Sequence, residues 1–155
     1  MKARFAIAIA VIAVIAVGLV AVAGTAGTDI SAPTKIHVIE HATTDTVIDT
    51  GPARDTSGDL LTFHNAVFGP ADMMRVGHDQ GDCIRIAPAA GSWECRWVTW
   101  LRGGSLTVEG PFFDTHDSVL AVTGGTGAYR NARGSMSLQA RAGGTEFDFV
   151  FNLIP

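Results

Sequence analysis

Lysine is almost missing from this chain: Lys2 and Lys35 are the only two among 155 residues. Lys and Arg together number 11 against 15 Asp and Glu. Such a chain has no basic stripe to neutralise phosphates and no polybasic attraction to anionic lipid, so nucleic acid is not an expected partner. Cysteine occurs twice and matches no zinc-ligand spacing. His37 and His41 are four apart, a spacing that chelates on a helix but separates them by roughly 13 Å on a strand. The run His78-Asp79-Gln80-Gly81-Asp82 lacks the length and terminal Glu of a calcium loop. Gly124-Gly125-Thr126-Gly127 lacks the Lys-Ser/Thr of a phosphate loop, and no G-x-S-x-G nucleophile turn occurs. None of Asn65, Asn131 and Asn152 has a Ser or Thr two residues on, so no N-glycosylation acceptor exists. The sequence therefore calls for no metal and no cofactor.

One long apolar run is present, from Phe5 to Ala23, preceded by Lys2 and Arg4 and followed by small residues. This is the pattern of a secretory signal over residues 1–23, with cleavage expected near Ala23 and with Ala26 or Gly27 as neighbouring sites. The run is also about long enough to span a bilayer, so a membrane anchor left uncleaved is the alternative. No cysteine follows it, which excludes a lipid-modified terminus. Cleavage makes the protein secreted, with no stable membrane insertion, and takes the formal net charge from −4 to about −6. Much of the positive mean hydropathy belongs to this segment rather than to the fold. Residues 24–33 are small and polar and read as a flexible lead. One domain remains, 34–155.

Beyond residue 33 no long amphipathic helical pattern appears. Short β-branched and aromatic segments alternate with Gly, Pro, Asp and Asn, the signature of an all-β chain. Eight strands are expected: 35–41, 59–68, 75–86, 92–101, 105–113, 118–123, 135–141 and 146–153. The stretch from Asp45 to Asp55 reads as a mobile loop over one mouth. Eight antiparallel strands with short links close into an up-and-down barrel, although periodicity alone does not separate a barrel from a sandwich. In an exported chain the two cysteines point to a disulfide. A hairpin turning at Pro88-Ala89-Ala90 sets Cys83 directly opposite Cys95, near bonding range. Two buried free thiols are the alternative.

Alternation then assigns faces. With Cys83 inward, Arg85, Trp93, Cys95 and Trp97 also point inward, as do Leu61, Phe63, Asn65, Leu106 and Val108. On the last strand Phe147, Phe149 and Phe151 are preferred over Asp148, Val150 and Asn152. Arg85 falls opposite Trp93, which permits a cation–π contact. Phe63, Trp93, Trp97 and Phe149 thus become the expected walls of a pocket for an apolar small molecule. A filled core without a cavity fits the same pattern.

The blocks GDLLTFHNAVF, RVGHDQGDCIRI, WECRWVTW, GSLTVEGPFF and LAVTGGTGAYRNARG, in that order between Gly58 and Gly134, resemble the barrel domain of plant allene oxide cyclases and, more distantly, dirigent proteins. The resemblance favours the eight-stranded, calycin-like barrel and implies a homo-oligomer, a trimer. It implies catalytic roles for two residues. Glu40 matches the carboxylate that stabilises charge developing during ring closure, although a strand-end Glu facing solvent fits the local sequence as well. Asn65 matches an asparagine that helps hold a water, and Cys83 an interior cysteine. The site departs from the family at Ala42, where the cyclases carry an asparagine, and at Val47-Ile48-Asp49-Thr50, where a Ser-Pro pair is missing. Three functions follow as expectations: a cyclase or isomerase acting on an apolar molecule, a dirigent-like carrier without chemistry, or a structural secreted module.

Overall fold

The computed structural model describes residues 34–155; the expected signal 1–23 and lead 24–33 lie outside them. Nine strands form one antiparallel sheet: β1 (Thr34–His41), β2 (Thr46–Ile48), β3 (Leu60–Phe68), β4 (Arg75–Ala87), β5 (Ser92–Leu101), β6 (Gly104–Phe113), β7 (Ser118–Gly125), β8 (Gly134–Arg141) and β9 (Glu146–Leu153). From β3 to β9 each strand pairs with the next, β9 pairs with β1, and β1 returns to pair with β3. Eight strands therefore close into a barrel, and β2 is a short addition. Among the described residues no helix is long and apolar enough to cross a membrane.

Period-two alternation produces this closure. Along β5, Trp93, Cys95, Trp97 and Thr99 are buried while Glu94 and Arg96 face out. Along β7, Ser118, Leu120 and Val122 are buried and Val119, Ala121 and Thr123 are exposed. The inward rows meet in one core that includes Leu106, Val108, Leu120, Met136, Phe149 and Phe151. Each such side chain contributes roughly 1.5–3 kcal/mol by leaving water.

The β4–β5 hairpin shows how local chemistry sets register. A 3-10 turn over Pro88–Ala90 ends at Gly91, whose φ of 61° is the left-handed conformation that glycine takes most easily. Cys83 then faces Cys95, and Arg85 faces Trp93. The disulfide forms between strands whose Cα atoms are 4.0 Å apart. The expected cation–π contact also forms, with the Arg85 guanidinium 4.3 Å from the Trp93 ring centre. One pair further in, Gly81 faces Trp97, and a Cβ on Gly81 would meet the Trp97 Cβ at 2.3 Å. Only a residue without a side chain lets this indole sit against β4.

β2 departs from the sequence reading, which left Asp45 to Asp55 as a loop. Both β1 and β2 lie along the same edge of β3, β1 against Ala66–Phe68 and β2 against Leu60–Thr62. Three residues carry too short a period to be seen in sequence. They become a strand because β3 offers them an unpaired edge.

Candidate functional site

Where the edge of β3 passes from β2 to β1, the ladder breaks, and Asn65 fills the gap. Its Oδ1 accepts hydrogen bonds from the backbone N–H of Thr43 and of Thr44 and from the Thr44 hydroxyl, each at 3.0 Å. Its Nδ2 donates to Glu40 Oε1 and to Asp45 Oδ1, both at 2.7 Å. Both amide hydrogens are engaged, so Asn65 orients Glu40 and pins residues 43–45 to the barrel.

Glu40 faces the interior and is 5% exposed. Burial, and next the negative charge of Asp79, raise its pKa well above the usual carboxylate range; the Asn65 hydrogen bond opposes this. Asp79 is fully buried, and burial pushes its own pKa up to about 7 despite the backbone N–H of Asn65. The two carboxyls are close enough for each to act on the other's ionisation. Asp79 Oδ2 has no other partner, and neither do the buried Trp97 Nε1 and Thr99 Oγ1.

The sequence reading missed Asp79 and Thr99. Asn65, Asp79 and Thr99 are directly opposed on β3, β4 and β5 and form one inward polar row. The signal was available: Asp79 shares the parity of Cys83, and Thr99 that of Trp97.

Next to Glu40 lies a cavity of about 40 Å³, lined by Glu40, Asp45, Leu61, Phe63, the disulfide, Trp97, Phe112, Leu138 and Phe147. That volume holds a water or two, or one small ligand group. Of the expected pocket walls, Phe63 and Trp97 line it. Phe149 is buried in the core against Trp97, with ring centres 5.5 Å apart. Trp93 sits at the rim, where its Nε1 donates to Asp114 Oδ1 at 2.8 Å. Of the four expected walls, the cavity therefore has two, and Leu61, Phe112, Leu138 and Phe147 supply the rest of its apolar lining.

The cavity lies beneath the mouth at which β1, β4, β6 and β8 end. There a cleft of about 420 Å³ lies between the β6–β7 turn and the β8–β9 turn. The cleft and the cavity share Phe112, Leu138 and Phe147. Phe112 and Phe147 meet edge to face, with centres 6.0 Å apart, at this boundary. The opposite side of the mouth is closed by Arg85. Its Nε donates to Asp55 at 2.6 Å, its Nη1 donates to Asp114 at 2.7 Å, and its Nη2 also bonds Asp55.

Outside the barrel, His41, Asp72 and Glu146 bring potential ligand atoms within 4.8 Å of one another. His41 Nε2 bonds Asp72 at 2.7 Å, and Arg141 lies 3.3 Å from Glu146 and 4.0 Å from Asp72. These acids already have a cation among them.

No family model matches the chain. Solved structures do share its fold. A pyocyanin demethylase superposes with a TM-score of 0.69 at 23% identity, over 77% of this chain and 99% of that one. The pterocarpan synthase dirigent protein PsPTS1 gives 0.62 at 16%, over 81% and 97%. AbnU, an exo-specific intermolecular Diels-Alderase, gives 0.63 at 13%, over 78% and 97%. At these identities the likeness is one of fold: the chain has the closed barrel seen in dirigent proteins and Diels-Alderases.

Proposed function

We propose that this protein is an exported barrel that binds an apolar small molecule at the mouth bearing Phe112 and Phe147 and promotes its intramolecular cyclisation or isomerisation. The observation that carries this reading is adjacency. A cleft of ligand size is separated from a small interior cavity, whose polar end is Glu40, only by the shared Phe112, Leu138 and Phe147 side chains. The cleft holds the body of the molecule, and the cavity admits one reacting group to Glu40. A ring closure within one bound molecule adds and removes no atoms, so shape and one carboxyl are sufficient equipment. Glu40 is the catalytic group, which matches the role implied by the resemblance to allene oxide cyclases, and Asn65 is a positioning residue. The neighbours' names, a demethylase, a pterocarpan synthase and a Diels-Alderase, all refer to chemistry on small organic molecules, which supports the reading.

Glu40→Gln tests it. The fold and the Asn65 contact should survive, binding of a naphthalene-type probe should change less than about threefold, and turnover of a cyclisable polyene or polyketide-like substrate should fall by about 100-fold or more. Unchanged turnover ends the catalytic assignment. A carrier without chemistry is the second reading, favoured by the commitment of both Asn65 amide hydrogens within the protein; it predicts equal binding and no turnover in either form.

A further inference from the structure

The charge along the ligand path is one-sided. Among the lining residues of the cleft, Asp114 and Asp117 are carboxylates, and deeper in the cavity come Asp45 and Glu40. Neither lining contains Lys or Arg, and His116 is the one basic group. The nearest guanidinium, Arg85, is 7% exposed and is held between Asp55 and Asp114. Asp117 accepts a hydrogen bond from Gln139 at 2.6 Å, a neutral partner that offers no counter-charge.

Three phenylalanines also face the cleft. Phe112, Phe113 and Phe147 line the cleft, and His116 stacks on Phe113 with centres 4.3 Å apart. Aromatic faces and carboxylates attract the same kind of ligand, because both present negative potential to it. A fatty-acid carboxylate finds no Lys or Arg in either lining to receive it.

We infer that the molecule taken by this cleft and cavity is a planar aromatic cation, bound by Phe112, Phe113 and Phe147 and by the charges of Asp114 and Asp117, with its positive end directed toward Glu40. This rests on the small-molecule reading above and names the class of ligand. It also couples binding to a proton. Glu40 and Asp79 are two buried carboxyls with no cation beside them, an arrangement that favours keeping a proton, and a positive group arriving there replaces it: the ligand enters, one carboxyl ionises, and the proton leaves to solvent.

Three bicyclic probes of matched shape test the inference on the mature protein: N-methylquinolinium, 2-methylnaphthalene and 2-naphthoate, each titrated calorimetrically at low salt. The cation should bind about tenfold more tightly than the neutral isostere, and the anion most weakly. Asp117→Asn should weaken the cation by about threefold and leave 2-methylnaphthalene unchanged. Titrations near pH 6 in buffers of different ionisation enthalpy should show proton release for the cation alone, and Glu40→Gln should reduce that release. Equal affinity for cation and neutral probe, or preference for naphthoate, overturns the inference and leaves small-molecule binding standing. Cation preference without proton release overturns the placement of the charge near Glu40. Failure of all three to bind overturns both the inference and the binding reading.

Discussion

Two polar groups occupy the barrel within a few strand positions of each other, and they are built in opposite ways. At the rim, Arg85 has two carboxylates and an aromatic face, and Asp114 is shared between its guanidinium and the Trp93 N–H. Each charge there has an opposite partner, two carboxylates to one guanidinium, and the carboxylates reach solvent. Deeper in, Glu40 and Asp79 face each other with no cation, and Asp79 Oδ2, Thr99 Oγ1 and Trp97 Nε1 have no hydrogen-bond partner apart from any shared carboxyl proton. The first arrangement is what stability asks of buried charge; the second costs stability and raises two pKa values. A matched network reads as structure, whereas an unmatched one beside a cavity reads as function.

The strongest way to break this contrast is at the rim. Arg85→Met removes the guanidinium and leaves Asp55, Asp114 and the Trp93 N–H to water. Asp55 and Asp114 are 48% and 36% exposed, so the loss falls below that of a fully buried pair, at about 2–4 kcal/mol. Urea unfolding at neutral pH measures it, and a loss under about 0.5 kcal/mol shows the network to be ornamental.

Between the two groups lies the Cys83–Cys95 bridge, which closes a short loop with a sequence separation of 12. Replacing both residues with serine should cost about 2–3 kcal/mol, mainly through the unfolded chain. The same unfolding experiment with and without reductant checks it: reductant should weaken the parent and not the variant.

The smallest effect has the opposite sign. Asp79 has a raised pKa in the folded protein, so its contribution is fully present below the unfolded value near 4 and is lost as pH rises through about 7. Asp55 and Asp59 run the other way. Hydrogen bonds from Arg85 to Asp55, and from the backbone N–H groups of Thr56 and Thr50 to Asp59, lower their pKa values, and that stability is lost as pH falls below about 4. Melting temperature should therefore peak in acidic buffer, between about pH 4 and 5, and decline toward pH 7. Asp79→Asn should stabilise the protein at pH 8 by on the order of 2 kcal/mol and flatten the decline above pH 5. Destabilisation at pH 8 would show that the acid pair is a structural asset instead.

Much of the barrel was legible before any coordinates. Alternation placed Phe63, Asn65, Trp93, Trp97 and Phe149 on the inner face, and turn chemistry at Pro88–Gly91 set the register that joins Cys83 to Cys95. These are local properties: a strand's period and a turn's conformation are decided by residues close in sequence. The candidate site was legible only in part. Glu40 and Asn65 were found through resemblance, while Asp79 and Thr99 were passed over although their parity marked them.

What only the tertiary structure decided lies between strands far apart in sequence. It put Trp93 at the rim instead of in the cavity, because Asp114, 21 residues on, offers its indole an acceptor. It reduced the interior space to about 40 Å³ and moved the ligand-sized volume out to the mouth between the β6–β7 and β8–β9 turns. It set Glu40 beside Asp79, 39 positions apart in the sequence. The sequence by itself determined which side chains point inward. How much room they leave depends on barrel tilt and on side chains meeting across the axis, and proximity of that kind has no period to read.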